Sequence, residues 1–192
     1  MTRDALLDLY RTSGALLEGH FRLTSGLHSS GYLQCALVLQ HPPHAEALGR
    51  AIADRVRDRR PTVVLSPAVG GLIIGHEVAR ALGVRAIFAE RQDGKLSLRR
   101  GYTHDAGDRV LVVEDVMTTG GSTRETIEVA RAAGGEVVAT ASIVDRSGGT
   151  IAFDVPFAAL LEIALPTYDP DKCPLCAQGL PVVKPGSRQV VV

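Results

Sequence analysis

Two adjacent carboxylates follow an apolar run and precede a turn rich in glycine and hydroxyl side chains. Residues 109–113 (RVLVV) lead into Glu114 and Asp115, and residues 116–123 continue as Val-Met-Thr-Thr-Gly-Gly-Ser-Thr. In open α/β sheets, ligands bind at the carboxyl ends of the strands. The N-terminus of a following helix offers free N–H groups to an anion, and glycines let the backbone approach that anion closely. This segment is therefore the strongest candidate for a binding site.

The two carboxylates and a bound anion would repel each other unless another group lay between them. A sugar suits this position because its hydroxyls donate hydrogen bonds to carboxylates, and a hydrated Mg²⁺ nearby also fits. The segment therefore indicates a site for a ribose that carries a 5-phosphate. A plain strand–turn–helix connection is the alternative, but two acids at the tip of a buried strand are costly without a ligand.

Composition and other motifs exclude several classes of function. The chain has 192 residues with 21 basic and 21 acidic side chains, so its formal charge of zero gives little attraction for nucleic acid or an anionic membrane. It contains neither a GxxxxGK[ST] loop nor a GxGxxG fingerprint. No apolar run approaches the ~20 residues of a membrane-spanning helix. The first residues lack a signal-peptide pattern, and the three cysteines are too few for a secreted framework, so we expect a cytoplasmic protein.

The elements that must position this segment alternate in a regular way. Apolar patterns predict strands at 62–66, 85–89, 109–113 and 136–144, and helices at 3–17, 44–58, 70–81 and 121–133. Short apolar strands between helices are typical of a parallel sheet covered on both faces. We therefore expect an α/β fold with a parallel twisted sheet and helices on both faces. Residues 19–40 should form strands and turns.

The domain organisation is expected to be simple. Residues 1–168 should form one domain, followed by a small irregular appendage at 169–192, where proline and glycine become frequent. Within the domain, 1–40 form an N-terminal segment, and 90–107 form a long connection between two buried strands. Connections of that length are usually functional or mobile.

Residues 112–123 resemble the phosphoribosyl-diphosphate (PRPP) signature of the type I phosphoribosyltransferase family. Residues 19–32 (GHFRLTSGLHSSGY) resemble the N-terminal segment of its orotate branch. The resemblance implies the type I fold and transfer of the 5-phosphoribosyl group from PRPP to orotate, giving orotidine 5′-monophosphate and diphosphate in pyrimidine synthesis. It also implies Mg²⁺ as cofactor, carried by PRPP, and a homodimer. In the family, the segment matching 1–40 helps cover the base, and the loop matching 90–107 closes over the neighbouring subunit's site.

The resemblance implies residue roles as well. The catalytic candidates are Glu114 and Asp115, which would hold the ribose hydroxyls, and Lys95, whose charge would aid departure of diphosphate. No direct metal ligand is implied, and Asp115 would contact Mg²⁺ only through water. The PRPP-binding set is Val69, Gly70, Arg91, Lys95, Glu114, Asp115, Val116, Met117, Thr118, Thr119, Gly120, Gly121 and Ser122. The orotate-binding set is Thr24, Ser25, Tyr32, Leu33, Thr118 and Arg146.

The chain departs from the family pattern where cations are common. Thr24, Gly70 and Gln92 stand where lysines are frequent, Val69 stands where tyrosine is frequent, and Ser97 stands where the loop often has histidine. Arg99 and Arg100 are candidates to compensate for the missing charge.

Other functions remain open at the level of sequence. A purine or other base phosphoribosyltransferase would share the PRPP site, but Arg146 suits the carboxylate of orotate, and only 4% of the chain is aromatic. A non-catalytic PRPP-sensing regulator would call for a basic DNA-binding module.

A Cys-Pro-Leu-Cys motif at 173–176 has the spacing of half a zinc site. No Cys or His follows it, and the histidines lie far upstream. We therefore favour an inert or disulfide-closed turn. The alternatives are a metal site, either within one chain or shared across a dimer, and a redox pair.

Overall fold

The computed structural model describes residues 1–23, 25–105 and 107–185. The chain divides into two compact units. The larger unit is formed by residues 39–163, and the smaller one combines residues 2–38 with the chain from Ala164 onward. Sequence analysis set residues 169–192 apart as an appendage. In the structure, the described part of that segment packs with the N-terminal residues because it pairs with their strands.

The larger unit is an α/β sheet with flanking helices. Its strands are β3 (Val63–Pro67), β4 (Arg85–Gln92), β5 (Lys95–Leu98), β6 (Arg109–Met117), β7 (Glu136–Asp145) and β8 (Phe157–Glu162). Its helices are α3 (Pro42–Val56), α4 (Gly71–Leu82) and α5 (Gly121–Ala132), with a short 3₁₀ helix at Arg57–Arg59. The strand order is β5-β4-β3-β6-β7-β8, and all pairs are parallel except β4 with β5. The predicted fold class is confirmed, while β8 was missed.

Continuous burial explains why the central strands are so apolar. Every residue of β3 is buried, and β7 is buried after its first residue. A parallel strand covered on both faces needs apolar side chains at every position rather than at alternate ones. β3 and β6 lie side by side, with Val63 opposite Val110 and Leu65 opposite Val112. Because the two strands are parallel, their carboxyl ends meet at one edge of the sheet.

The first half of the predicted 90–107 connection contains regular structure. β4 runs on to Gln92, turns at Asp93–Gly94 and returns antiparallel as β5, with Gln92 opposite Lys95. Asp93 and Gly94 both have positive φ angles, 51° and 84°. An Asp-Gly pair favours this two-residue hairpin turn. The hairpin was therefore readable from the sequence.

The smaller unit is built around a three-stranded antiparallel sheet. It contains α1 (Arg3–Thr12), β1 (Leu16–Arg22), β2 (His28–Leu33), α2 (Ala36–Leu39, at the boundary of the two units), β9 (Thr167–Tyr168), a 3₁₀ helix (Pro170–Lys172) and α6 (Pro174–Ala177). The sheet order is β1-β2-β9. The helix predicted for 3–17 ends at Thr12, because Gly14 adopts a positive φ of 68° and Leu16 then pairs with Leu33. In the described part of the chain, no helix has the length and hydropathy needed to cross a bilayer.

Candidate active site

A cleft lies in the larger unit where β3 and β6 end. Its volume is about 290 Å³. The loop after β3, the end of β6, the β4–β5 hairpin and the first turn of α5 all contribute to its lining. The lining residues are Pro67, Ala68, Gly70, Arg91, Leu96, Glu114, Asp115, Val116 and Ser122. Most of the predicted PRPP-binding segments are thereby brought to one place.

The two carboxylates differ in their surroundings. Glu114 is only 9% exposed, whereas Asp115 is half-buried. The backbone N–H of Asp115 donates to Oε1 of Glu114 over 3.2 Å, and the N–H of Val116 donates to Oδ1 of Asp115 over 2.8 Å. Both carboxylates nevertheless line the cleft, Glu114 from a more deeply buried position than Asp115.

Glu114 holds a proton more strongly than an ordinary glutamate. Burial, followed by the negative charge of Asp115, raises the pKa of Glu114 to about 9. At neutral pH Glu114 therefore keeps its proton, and its O–H lies beside the Asp115 carboxylate. One donor and one carboxylate beside each other suit the vicinal hydroxyls of a sugar, which both donate and accept hydrogen bonds.

Gly70 leaves room for the carboxylate of Asp115. A Cβ at Gly70 would lie 2.8 Å from Oδ1 of Asp115 and 3.1 Å from its Cγ and Oδ2. Any larger residue would displace that carboxylate. The neighbouring Val69, also in the predicted set, is 80% exposed, and the Ala68–Val69 peptide bond is cis. The loop after β3 therefore shapes the cleft mainly through its backbone.

The turn after β6 leads into the N-terminus of α5. Gly120 adopts a φ of 75° and no side chain caps the helix there, so the first N–H groups of α5 are available to an anion. The predicted residues Thr118, Thr119, Gly121 and Ser122 are exposed. Met117 is 1% exposed, and its sulfur accepts a hydrogen bond from the Thr123 hydroxyl over 3.1 Å. Its side chain is therefore part of the core, so only its backbone can meet a ligand.

Glu125 was missed by the sequence analysis and links the hairpin to α5. Arg91 donates to Oε2 of Glu125 over 2.8 Å, and the N–H of Leu96 donates to its Oε1 over 2.6 Å. The Leu96 N–H, followed by the Arg91 guanidinium, lowers the pKa of Glu125. Glu125 follows Ser122 by three residues and so shares its helix face. The sequence signal for this ion pair is the position of Glu125, an acid on the same helix face as a residue of the predicted anion site.

The remaining cations differ in their availability. Lys95 is exposed at the first position of β5. Arg100, a candidate for compensating charge, forms two hydrogen bonds to Glu90 of 2.9 and 2.7 Å, which occupy its guanidinium. The backbone N–H of Arg146 donates to the carbonyl of Met117 over 2.8 Å, which places Arg146 beside the turn that follows β6.

Four predicted orotate-binding residues belong to the smaller unit or lie outside the described residues. Tyr32 and Leu33 are on β2; the Tyr32 hydroxyl donates to Gln34 over 2.9 Å, and Leu33 is 6% exposed. Ser25 lies in the turn between β1 and β2. Thr24 falls outside the described residues. Contact of these side chains with a base stays a prediction.

Comparison with known proteins decides the family. A model of the phosphoribosyl transferase domain matches residues 36–164. The orotate phosphoribosyltransferase of Desulforamulus reducens is 53% identical over 190 residues, which span 99% of this chain and 100% of the relative. That of Heliobacterium modesticaldum is 55% identical over 98% of this chain and 100% of its own. The chain belongs to the orotate phosphoribosyltransferase family.

Solved structures agree with this orotate phosphoribosyltransferase assignment. The Mycobacterium tuberculosis enzyme in complex with inorganic phosphate has a TM-score of 0.68 at 26% identity, and covers 83% of this chain and 95% of its own. The orotate phosphoribosyltransferase of Aeropyrum pernix has a TM-score of 0.67 at 28% identity, with coverage of 82% and 93%. The family resemblance and the type I phosphoribosyltransferase fold predicted from the sequence are both confirmed.

Proposed function

We propose that this chain transfers the 5-phosphoribosyl group of PRPP to orotate, yielding orotidine 5′-monophosphate and diphosphate, as a cytoplasmic step of pyrimidine nucleotide synthesis. The observation that carries the proposal is the cleft in which Glu114 and Asp115 stand between the Gly70 loop and the N-terminus of α5. This arrangement offers a polar pair to a ribose and backbone donors to phosphate groups on either side of it.

PRPP binding follows from this arrangement. The 5-phosphate would bind at residues 118–122, where exposed hydroxyls and the first N–H groups of α5 meet. The ribose hydroxyls would bind Glu114 and Asp115. The diphosphate would extend toward the loop after β3, where Gly70 keeps the backbone open.

The chemistry requires charge stabilisation rather than a strong base. As diphosphate leaves C1, the ribose gains oxocarbenium character and the leaving group gains negative charge. The carboxylate of Asp115 stabilises the first, and Lys95 and backbone N–H groups stabilise the second, together with Arg91 once diphosphate replaces Glu125 as its partner. Orotate is already an anion, so its ring nitrogen can attack once Arg146, adjoining the phosphate turn, orients it. Holding the two substrates in line can supply roughly 7–11 kcal/mol of the barrier.

The donor set of the cleft fits a hydrated Mg²⁺. Asp115 offers carboxylate oxygens, which this cation prefers, and water and diphosphate oxygens would complete its shell. When bound, the cation neutralises part of the charge that develops on diphosphate. The side chains of the cleft would then orient PRPP through its hydroxyls and its 5-phosphate.

A homodimer in which the loop at 90–107, through Lys95, completes the neighbouring site is part of the proposal. Its support is the exposed position of Lys95 on an edge strand. The test mixes two impaired variants, Lys95→Ala and Asp115→Asn, allows their subunits to exchange, and subtracts the residual activity of each variant alone. A shared site predicts recovery of about one quarter of the wild-type activity, because half of the dimers then contain one intact site. Absence of recovery, with exchange verified, contradicts the shared loop.

The base assignment is tested by supplying PRPP and Mg²⁺ with orotate, uracil, hypoxanthine or adenine and measuring diphosphate release. Orotate alone should support release. Release with a purine but not with orotate would contradict the orotate assignment, and PRPP binding without release for any base would favour a sensor.

A further inference from the structure

Two histidines and two cysteines, none of which lines the cleft, meet in the smaller unit. They are His20 on β1, His28 on β2, Cys173 at the start of α6, and Cys176 within it. One ligand atom from each side chain lies within 4.8 Å of every other. His20, His28 and Cys173 are buried, and Cys176 is exposed.

Strand pairing places the two histidines on one face of the β1–β2 hairpin. His28 pairs with Arg22, His20 lies in the irregular stretch of β1 between Glu18 and Phe21, and the centroids of the two imidazole rings are 4.7 Å apart. The C-terminal segment runs alongside β1, since the N–H of Val183 donates to the His20 carbonyl over 2.8 Å and the N–H of Arg22 donates to the Val183 carbonyl over 2.9 Å. This pairing brings the cysteines to the histidines across 153 positions of sequence.

The distances match the edges of a metal tetrahedron. Cys173 Sγ lies 3.6 Å from His20 Nε2, and Cys176 Sγ lies 3.7 Å from the same atom and 3.3 Å from His28 Nδ1. Zinc bonds to sulfur and nitrogen give sulfur–nitrogen edges of about 3.6 Å in a tetrahedral site. The two imidazole nitrogens are 2.8 Å apart. That edge must lengthen by about 0.5 Å to hold zinc.

A backbone contact prepares His20 to act as a ligand. Its Nδ1 lies 2.8 Å from the Leu180 carbonyl, which can only accept, so Nδ1 carries the proton and Nε2 keeps its lone pair. Metal-bound histidines usually donate their other N–H in this way, which fixes the ring and its tautomer. This Nε2 atom lies within 3.7 Å of both sulfurs and 2.8 Å from Nδ1 of His28.

We propose that His20, His28, Cys173 and Cys176 bind one Zn²⁺ as a structural site. Two thiolates and two imidazoles in a tetrahedral arrangement favour zinc. Four protein ligands leave no position for a substrate, so the role is structural rather than catalytic. The sequence concealed this site because its histidines precede the cysteine motif by most of the chain.

The metal would stabilise the segment after β9, which contains little regular secondary structure. The chain after β9 consists, up to residue 185, of a three-residue 3₁₀ helix, the four-residue α6 and extended segments. Small units with limited cores commonly depend on a metal or a disulfide for stability. The ligands on β1 and β2 also flank the connection between these two strands, so the metal would brace that hairpin.

The first experiment measures metal in the full-length protein purified under reducing conditions. We expect about one zinc per chain by elemental analysis. After chelator treatment, Co²⁺ should restore one equivalent and produce the visible absorption and thiolate charge-transfer bands of a tetrahedral sulfur–nitrogen site. Removal of the metal should lower the melting temperature and expose the C-terminal segment to limited proteolysis.

Variants separate this site from nonspecific binding. Cys176→Ser changes the exposed ligand and should weaken Co²⁺ binding by roughly 100-fold or more and remove one thiolate band. Cys35→Ala removes the third cysteine, whose sulfur contacts the Tyr10 hydroxyl at 3.0 Å, and should retain the full spectrum. Wild-type protein that binds neither metal stoichiometrically, or that forms a Cys173–Cys176 disulfide instead, would overturn the proposal. So would an unchanged cobalt spectrum in Cys176→Ser.

Discussion

Replacing Glu114 with glutamine should change how stability depends on pH. The folded-state pKa of Glu114 is about 9, whereas the unfolded chain has an ordinary value of 4.5. Between these two values, the folded protein holds a proton that the unfolded chain has released. The free energy of unfolding must therefore fall as the pH rises, by up to about 1.4 kcal/mol per pH unit for this one group.

At pH 7 the free energy of unfolding of the ligand-free protein is therefore about 3 kcal/mol lower than it is well below pH 4.5, because folding requires Glu114 to take up a proton. Glutamine resembles the protonated acid in shape and cannot ionise, and its Oε1 can still accept the N–H of Asp115. Glu114→Gln should therefore exceed the wild type in stability by less than about 1 kcal/mol at about pH 5 and by a growing margin toward about pH 8.

The assay is urea unfolding followed by circular dichroism, at intervals between about pH 5 and about pH 8 and at constant ionic strength. Glu128→Gln, a change at an exposed position of α5, is the control and should parallel the wild type throughout. A stability difference between Glu114→Gln and wild type that stays constant over this range, or that shrinks as the pH rises, would refute the reasoning about the buried acid.

Three further changes test the cleft. Gly70→Ala places a methyl group 2.8 Å from the Asp115 carboxylate, so the KM for PRPP should rise about ten-fold or more while the melting temperature falls only slightly; an unchanged KM would contradict the close approach. Lys95→Ala should lower turnover at least about ten-fold with little effect on the fold, as measured by diphosphate release and thermal melting; near-wild-type turnover would remove Lys95 from the mechanism. Because the folded pKa of Glu125 is lowered, its stabilising contribution is present above the ordinary glutamate value and lost below it. Glu125→Gln should therefore destabilise the protein at pH 7 but not in acid, and should increase proteolysis at the hairpin turn; equal stability at both pH values would argue against the ion pair.

Several features of the fold could be predicted because they depend on short-range patterns. The apolar runs of β3, β6 and β7 are continuous since both faces are buried, and this pattern identifies the parallel sheet. The acids at 114 and 115 and the glycine turn are adjacent in sequence, so their joint position at a strand tip follows directly. The Asp93–Gly94 turn belongs to the same class, although its signal was overlooked.

Other features depend on which strands become neighbours. Gly70 lies close to Asp115 only because β3 and β6 are adjacent in the sheet. The local sequence patterns do not predict that strand order. The same is true of Arg91 and Glu125, which are separated by 34 positions. The depth at which Glu114 is buried, and hence its raised pKa, is also set by the packing around the strand end.

The sequence alone determined the α/β class, the carboxylate pair and the family, because short apolar runs and local motifs identify all three. The tertiary structure decided which distant side chains meet, including the union of His20 and His28 with the cysteine motif. The physical reason is that chain neighbours constrain local conformation, whereas contacts across 153 positions depend on the packing of the whole smaller unit.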